Sequence, residues 1–162
     1  MERIVMVVMH PRESVWDALC ERTCELAPYL EHIESAKLKS RKTTTQGIIC
    51  CVHAWRARAN VPAILAPHID KGLLEWTART EWRANEYESR WAVEPQSMKG
   101  STLCEGTMRF SPAIGGKATR IDFALTLVAA QRKPGLQTIM STILSTHFRK
   151  LVEAVSRSIE EK

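Results

Sequence analysis

Long apolar runs are missing from this 162-residue sequence, and none approaches the length needed to span a membrane. The opening "MERIVMVVMHPRE" has an apolar run of only six residues, a single basic residue ahead of it and no small-residue cleavage site, so it reads as a first strand rather than a signal peptide. Paired cysteine motifs are missing too. The five cysteines are an odd number: Cys20 and Cys24 lie four apart, Cys50 and Cys51 are adjacent, and Cys104 stands alone. That spacing supports neither a disulfide framework nor a zinc site, and it leads us to expect reduced thiols and a cytoplasmic protein. No carboxylate pair, nucleophile elbow or phosphate-cradling loop is present. His68 and Asp70, two apart, form too common a pairing to mark a metal. No metal or cofactor is therefore expected, and enzymatic activity is not indicated by any motif.

Aromatic residues make up only 6% of the chain, yet three of its five tryptophans fall between residues 76 and 91. The length fits one domain, spanning residues 1–162, with a core large enough to stand alone. The net charge of +5 is mild. Part of it lies in "KLKSRK", where alternation places Lys37, Lys39 and Arg41 on one face of a strand. A solvated outer face is the plain meaning. A nucleic-acid or ribosome contact is the sharper one, weakened because no aromatic residue interleaves with the cations.

Periodicity organises the rest. Residues 3–9 read as a strand. "PRESVWDALCERTCELAPYLEHI" has helical spacing interrupted by Pro28, which predicts two short helices. Strands follow at about 33–42 and 47–58, separated by "TTTQG". The stretch "ANVPAILAPHIDKG" reads as a loop or a single helical turn. In "TEWRANEYESRWAVEP" a reversal at "RANE" would set Trp82 opposite Tyr87 and Trp91 opposite Ala78, with the like-charged pairs Glu81–Glu88 and Arg79–Arg90 on the wet face. A second hairpin joined by "SPAIGGK" puts Cys104, Gly106, Met108 and Phe110 on the same side as Ile121, Phe123, Leu125 and Leu127. Strands with one apolar and one polar face form an antiparallel sheet covered on one side. Residues 136–160 supply the cover: Leu136, Met140, Leu144, His147, Phe148, Leu151 and Val155 fall on one helical stripe.

This order of elements, with "VWDALCE" after the first strand, "EYESRWAVEP" and "EGTMRFSP…GGKATRIDF" in the middle, and "FRKLVEAVSRSIEE" at the end, resembles the START-like, or SRPBCC (birch-pollen-allergen-like), superfamily. Within it the chain looks similar to the bacterial polyketide-cyclase/dehydrase and lipid-transport group, near the coenzyme-Q-binding START proteins. The resemblance implies an α+β helix-grip fold: a curved seven-stranded antiparallel sheet wrapped around a long C-terminal helix, with two short helices between strands 1 and 2. It also implies an elongated apolar cavity between sheet and helix. The glycine-rich loop of the plant allergen branch is missing, with "TTTQG" in its place. The Cys/His pairs of Rieske iron–sulfur partners are missing as well.

In that fold Trp76, Trp82, Tyr87 and Trp91, with Met108, Phe110 and Phe123, are expected to face Met140, Leu144 and Phe148 across a ligand site; the alternative is that they only fill a core. His147, on the helix stripe, is a candidate ligand contact. His53 shares a face with Cys51 and Trp55, but both faces of its strand are apolar enough that the inward one stays open. It is either a cavity acid–base group or a satisfied structural histidine. Arg56 and Arg58 are candidates for an acidic head group, or plain surface charges. Three functions fit: binding, sequestration or transport of a small hydrophobic ligand (lipid, quinone or polyketide-like), which we favour; an aromatase/cyclase-type enzyme; or a ribosome- or protein-binding module. Both a monomer and a homodimer fit the sequence.

Overall fold

The computed structural model describes residues 1–58, 74–96, 102–128 and 136–161, the last stretch with side chains from residue 142 onward. The expected proline loop, with His68 and Asp70, lies outside the described residues, as does the side chain of Met140.

Alternation in the opening segment gives β1 (Glu2–Val8), with Ile4 and Val8 buried and Val5 and Val7 exposed. Pro11 caps α1 (Arg12–Cys20), its carbonyl accepting from the N–H groups of Ser14 and Val15 at 3.0 and 3.1 Å. Being proline, it adds no further unpaired donor at the helix start. Helix α1 buries Val15, Trp16, Ala18, Leu19 and Cys20. The second expected helix forms as a 3-10 helix, Thr23–Tyr29, with Pro28 inside it. Proline cannot donate to a longer helical ladder, so the segment stays short.

Six further strands follow: β2 (Ile33–Thr43), β3 (Ile49–Ala57), β4 (Glu75–Arg83), β5 (Glu88–Pro95), β6 (Cys104–Ala113) and β7 (Ala118–Leu127). With β1 they make one seven-stranded sheet in the order β1-β7-β6-β5-β4-β3-β2, every pairing antiparallel. Helix α2 (Leu136–Glu160) is about 37 Å long at 1.5 Å per residue, enough to cross the sheet. Leu144, Phe148, Val152 and Val155 on its stripe are buried. The α+β helix-grip fold read from the sequence is the fold observed. No described helix is long and apolar enough to cross a membrane.

In β6–β7 the two expected sets of residues share one face, and there Cys104, Gly106, Met108 and Phe110 pair with Leu127, Leu125, Phe123 and Ile121. The turn of this hairpin needs Gly115 and Gly116, which adopt φ of 63° and 85°. The β4–β5 register differs from expectation by two residues. Trp82 pairs with Ser89, not Tyr87, and Trp91 pairs with Thr80, not Ala78. The chain reverses over residues 84–87 and closes with Tyr87 at φ 49°. Tyr87 thus belongs to the turn and not to the strand. A shift of two keeps every side chain on its expected face, but it changes the charge pairing. Glu81 now lies opposite Arg90 and Arg83 opposite Glu88, so the expected like-charge pairs do not form.

The basic strand also departs from its pattern. The β2–β3 register shifts between Leu38 and Ser40, leaving Lys39 in a bulge. Lys37 lies opposite Ala54, whereas Arg41 lies opposite the buried Cys51, so the bulge turns these two cations to opposite faces. Arg41 donates to both carboxylate oxygens of Glu21 at 2.9 and 3.1 Å. Lys37, Lys39 and Arg41 therefore do not share the single basic face expected of them.

All five cysteines are free. Burial, above all, pushes the Cys20 and Cys104 thiols up to about 12. A thiol reagent is expected to titrate five groups after denaturation and to miss Cys20 and Cys104 in the native protein at neutral pH. A pair that stays protected in denaturant would overturn the reduced state.

Candidate ligand cavity

The inward face of the sheet does not meet α2 everywhere. Between them the described residues line a cavity of about 100 Å³. From β3 and β4 come His53, Trp55, Trp76, Ala78, Thr80 and Trp82; from β5, β6 and β7 come Trp91, Val93, Met108 and Phe123. Helix α2 closes the other side with Leu144, His147, Phe148 and Leu151, while Leu19 and Thr23 reach in from the short helices. Cys51, His53 and Trp55 are all buried, which settles the inward face of β3 left open by its sequence. The alternate face of β4 carries Glu75, Arg79 and Glu81, with Arg79 and Glu81 exposed and Glu75 half-buried, and this is why one short hairpin can hold so many indoles: the polar residues of the other parity keep to the outer face.

Eight of the eleven expected site residues line this cavity: His53, Trp76, Trp82, Trp91, Met108, Phe123, Leu144 and His147. Tyr87 and Phe110 do not. They pack behind it, where Trp16 of α1 makes edge-on contacts with Trp82, Tyr87 and Phe110 at ring-centre distances of 5.2, 5.4 and 5.1 Å. The Arg12 guanidinium lies 3.7 Å above the Tyr87 ring, completing a packing cluster that holds Trp82 in place. Trp55 and Thr80 were missed in the sequence. Their signal was present, since Trp55 shares the two-residue period of His53, and Thr80 that of Trp82.

A second aromatic group forms the middle wall. Trp91 stacks on Phe123 at 5.2 Å and Phe123 on Phe148 of α2 at 3.8 Å. Trp91 fits because its neighbour on β6 is Gly106, with no side chain to compete for the space. At the far end Trp55 and Trp76 lie nearly parallel at 6.4 Å, and His147 meets both edge-on at 5.0 and 5.4 Å.

The lining contains no carboxylate, guanidinium or ammonium group among the described residues. Its polar groups are neutral. Thr23 donates its hydroxyl to the Leu19 carbonyl. The indole N–H groups of Trp82 and Trp91 are buried without a hydrogen-bond partner among the described residues. His53, only 6% exposed, has no hydrogen bond to a described residue, and burial lowers its pKa. His147 is held neutral by burial and by its neighbour His32. His32 itself, which no local sequence pattern marks, lies 115 positions from His147 and joins it by a 2.8 Å contact between His32 Nε2 and His147 Nδ1. Arg56 is on the outside, paired with Glu75 at 2.6 Å. Arg58 lines a separate open groove beside Glu31 and Glu34.

A seven-stranded antiparallel sheet packed on a long C-terminal helix around an apolar cavity is a helix-grip fold, and this chain has that fold. No family model and no curated protein matches its sequence. Solved structures do match its fold. The Zhui aromatase/cyclase from Streptomyces sp. R1128 aligns with a TM-score of 0.64 at 14% identity, covering 98% of this chain and 92% of that one. The TTHA0849 protein of Thermus thermophilus gives a TM-score of 0.64 at 17% identity, covering 96% and 93%. Ara h 8.0201 gives 0.66 at 11% identity, covering 99% and 97%. At these identities the likeness is one of fold.

Proposed function

We propose that the protein binds a small hydrophobic molecule, of lipid, quinone or polyketide type, in this cavity and sequesters or transports it. The observation that carries the reading is an aromatic-walled void left open inside an otherwise packed core. At about 24 cal/mol per Å³, an unfilled cavity of 100 Å³ costs roughly 2 kcal/mol, which a ligand would return. Its volume suits about one aromatic ring, since an engineered apolar cavity of roughly 150 Å³ takes benzene. A larger ligand would place one ring or one end here and extend past the described walls. The neutral lining favours an uncharged portion of the ligand. Five free thiols fit a reducing compartment such as the cytoplasm.

Native mass spectrometry of freshly purified protein, followed by organic extraction, tests this directly. A co-purifying hydrophobic molecule is the expected result. Empty protein that also fails to bind any of a panel of neutral ring compounds would overturn the reading.

A second reading, an aromatase/cyclase, is favoured by His53. A buried, neutral imidazole without a partner among the described residues, inside a cavity, can take up a proton from a reacting chain held there. Turnover of a poly-β-ketone thioester that disappears in His53→Gln while binding persists would establish it. Binding without turnover leaves the carrier.

A further inference from the structure

The His32–His147 pair lies at the Trp55–Trp76 end of the cavity, and its geometry constrains which hydrogen-bonding group the cavity offers there. His147 lines the cavity from α2, and its ring plane stands at 78° and 82° to the indoles of Trp55 and Trp76. Those two flat walls leave little room for the imidazole to turn. Its Nδ1 faces His32 Nε2 at 2.8 Å, so Nε2 is the nitrogen left without a described partner.

A hydrogen bond between two neutral imidazoles has one donor. If His147 Nδ1–H donated, His32 would carry its own proton on Nδ1, which is buried with no hydrogen-bond partner among the described residues. If His32 Nε2–H donates, that buried Nδ1 is a bare lone pair. Either arrangement leaves one N–H without a described partner: in the first it is sealed at the buried His32 Nδ1, and in the second it sits on the ring that lines the cavity, where water or a ligand can accept it, so the first is the costlier. The second arrangement leaves His147 protonated at Nε2.

We infer that His32 is a positioning residue that fixes His147 as its Nε2–H tautomer, so that this end of the cavity is a hydrogen-bond donor and selects ligands that bring a neutral carbonyl-type oxygen to it. The inference rests on the ligand-binding reading above for its second half only. The indole N–H groups of Trp82 and Trp91 extend the same character: the unpartnered polar groups of known polarity in the wall are donors. A hydrocarbon fills the space equally well but leaves the His147 N–H unpaired, and one such hydrogen bond is worth about tenfold in affinity.

The test uses the full-length protein labelled with nitrogen-15 histidine, whose long-range proton–nitrogen spectrum reports the tautomer of each ring. It is combined with binding of 1-indanone and of indane, which share a shape and differ by one carbonyl oxygen. Expected at pH 7 are the Nε2–H tautomer at His147 and a preference of about tenfold for 1-indanone. His32→Leu should release the tautomer and bring the two affinities within about twofold, whereas His32→Gln should keep both properties because its amide N–H replaces Nε2–H. An Nδ1–H tautomer at His147 in the native protein, or one unmoved by His32→Leu, overturns the positioning role. Equal binding of the two compounds to native protein with the Nε2–H tautomer present overturns the selectivity alone. Failure of both compounds to bind overturns the ligand-binding reading and the selectivity with it, and leaves the tautomer result standing.

Discussion

Gly106→Ala is expected to destabilise the protein by about 3 kcal/mol or more, the high end for adding one methyl group to a packed interior. Gly106 sits in the middle of β6, paired with Trp91 on one side and Leu125 on the other. A Cβ built there meets the carbonyl oxygen of Ala124 and comes within 2.6 Å of the Trp91 ring. The indole could move; the backbone of a central strand cannot move without losing ladder hydrogen bonds to both neighbours. Urea denaturation should show a lower midpoint with an unchanged slope. Adding Trp91→Ala should recover only the part of the loss due to the ring, because the Ala124 carbonyl remains in the way. A Gly106→Ala protein as stable as the parent would mean that the β7 backbone at Ala124, and not only the Trp91 ring, gives way without loss.

That position illustrates which parts of the structure the sequence makes legible. Alternation along "TLCEGTMRF" and "TRIDFALTL" specifies which faces of β6 and β7 turn inward, because a slip of one would bury Arg109 and Asp122. The helical stripe after residue 136 is equally plain, and Met108, Phe123, Leu144, His147, Phe148 and Leu151 of the cavity wall follow from these two patterns. The β4–β5 register is harder, because a shift of two leaves every face unchanged and alternation cannot detect it. Charge could have decided it, since only the observed register sets Glu81 against Arg90 and Arg83 against Glu88. What hid it was Tyr87, a bulky residue at positive φ, where no sequence pattern leads one to expect it. The bulge at Lys39 is similarly silent. It inserts one residue into an alternating strand, and the alternation itself gives no hint of the phase change. Least legible of all is His32, whose importance arises from a contact made across 115 positions of chain.

Acid should weaken this protein earlier than an ordinary carboxylate titration would. Burial lowers His32 from 6.5 to about 4, with a further lowering from Lys150. Burial also lowers His53, and it lowers His147, to which His32 adds. Each of these rings is harder to protonate folded than unfolded. Between the two pKa values the unfolded chain therefore binds more protons, and stability rises with pH. The contribution is complete above about pH 6.5 and is lost as the pH falls toward 4. Each pKa unit corresponds to about 1.4 kcal/mol, so the linked loss is on the order of 3–5 kcal/mol, with the paired rings counted as one coupled unit. The expected observation is a urea midpoint that falls steeply between pH 6.5 and 4.5, where most aspartates and glutamates are still ionised. The double variant His32→Leu/His147→Phe separates the histidines from everything else. Removing one ring strands the other, so each single variant should lose about 1–3 kcal/mol at pH 7; removing both eliminates the buried polar pair and should cost less than the sum. In that variant the slope between pH 6.5 and 4.5 should flatten to what His53 alone provides. A slope as steep as the parent's would show that the pair is protonated as readily in the folded protein as in the unfolded chain.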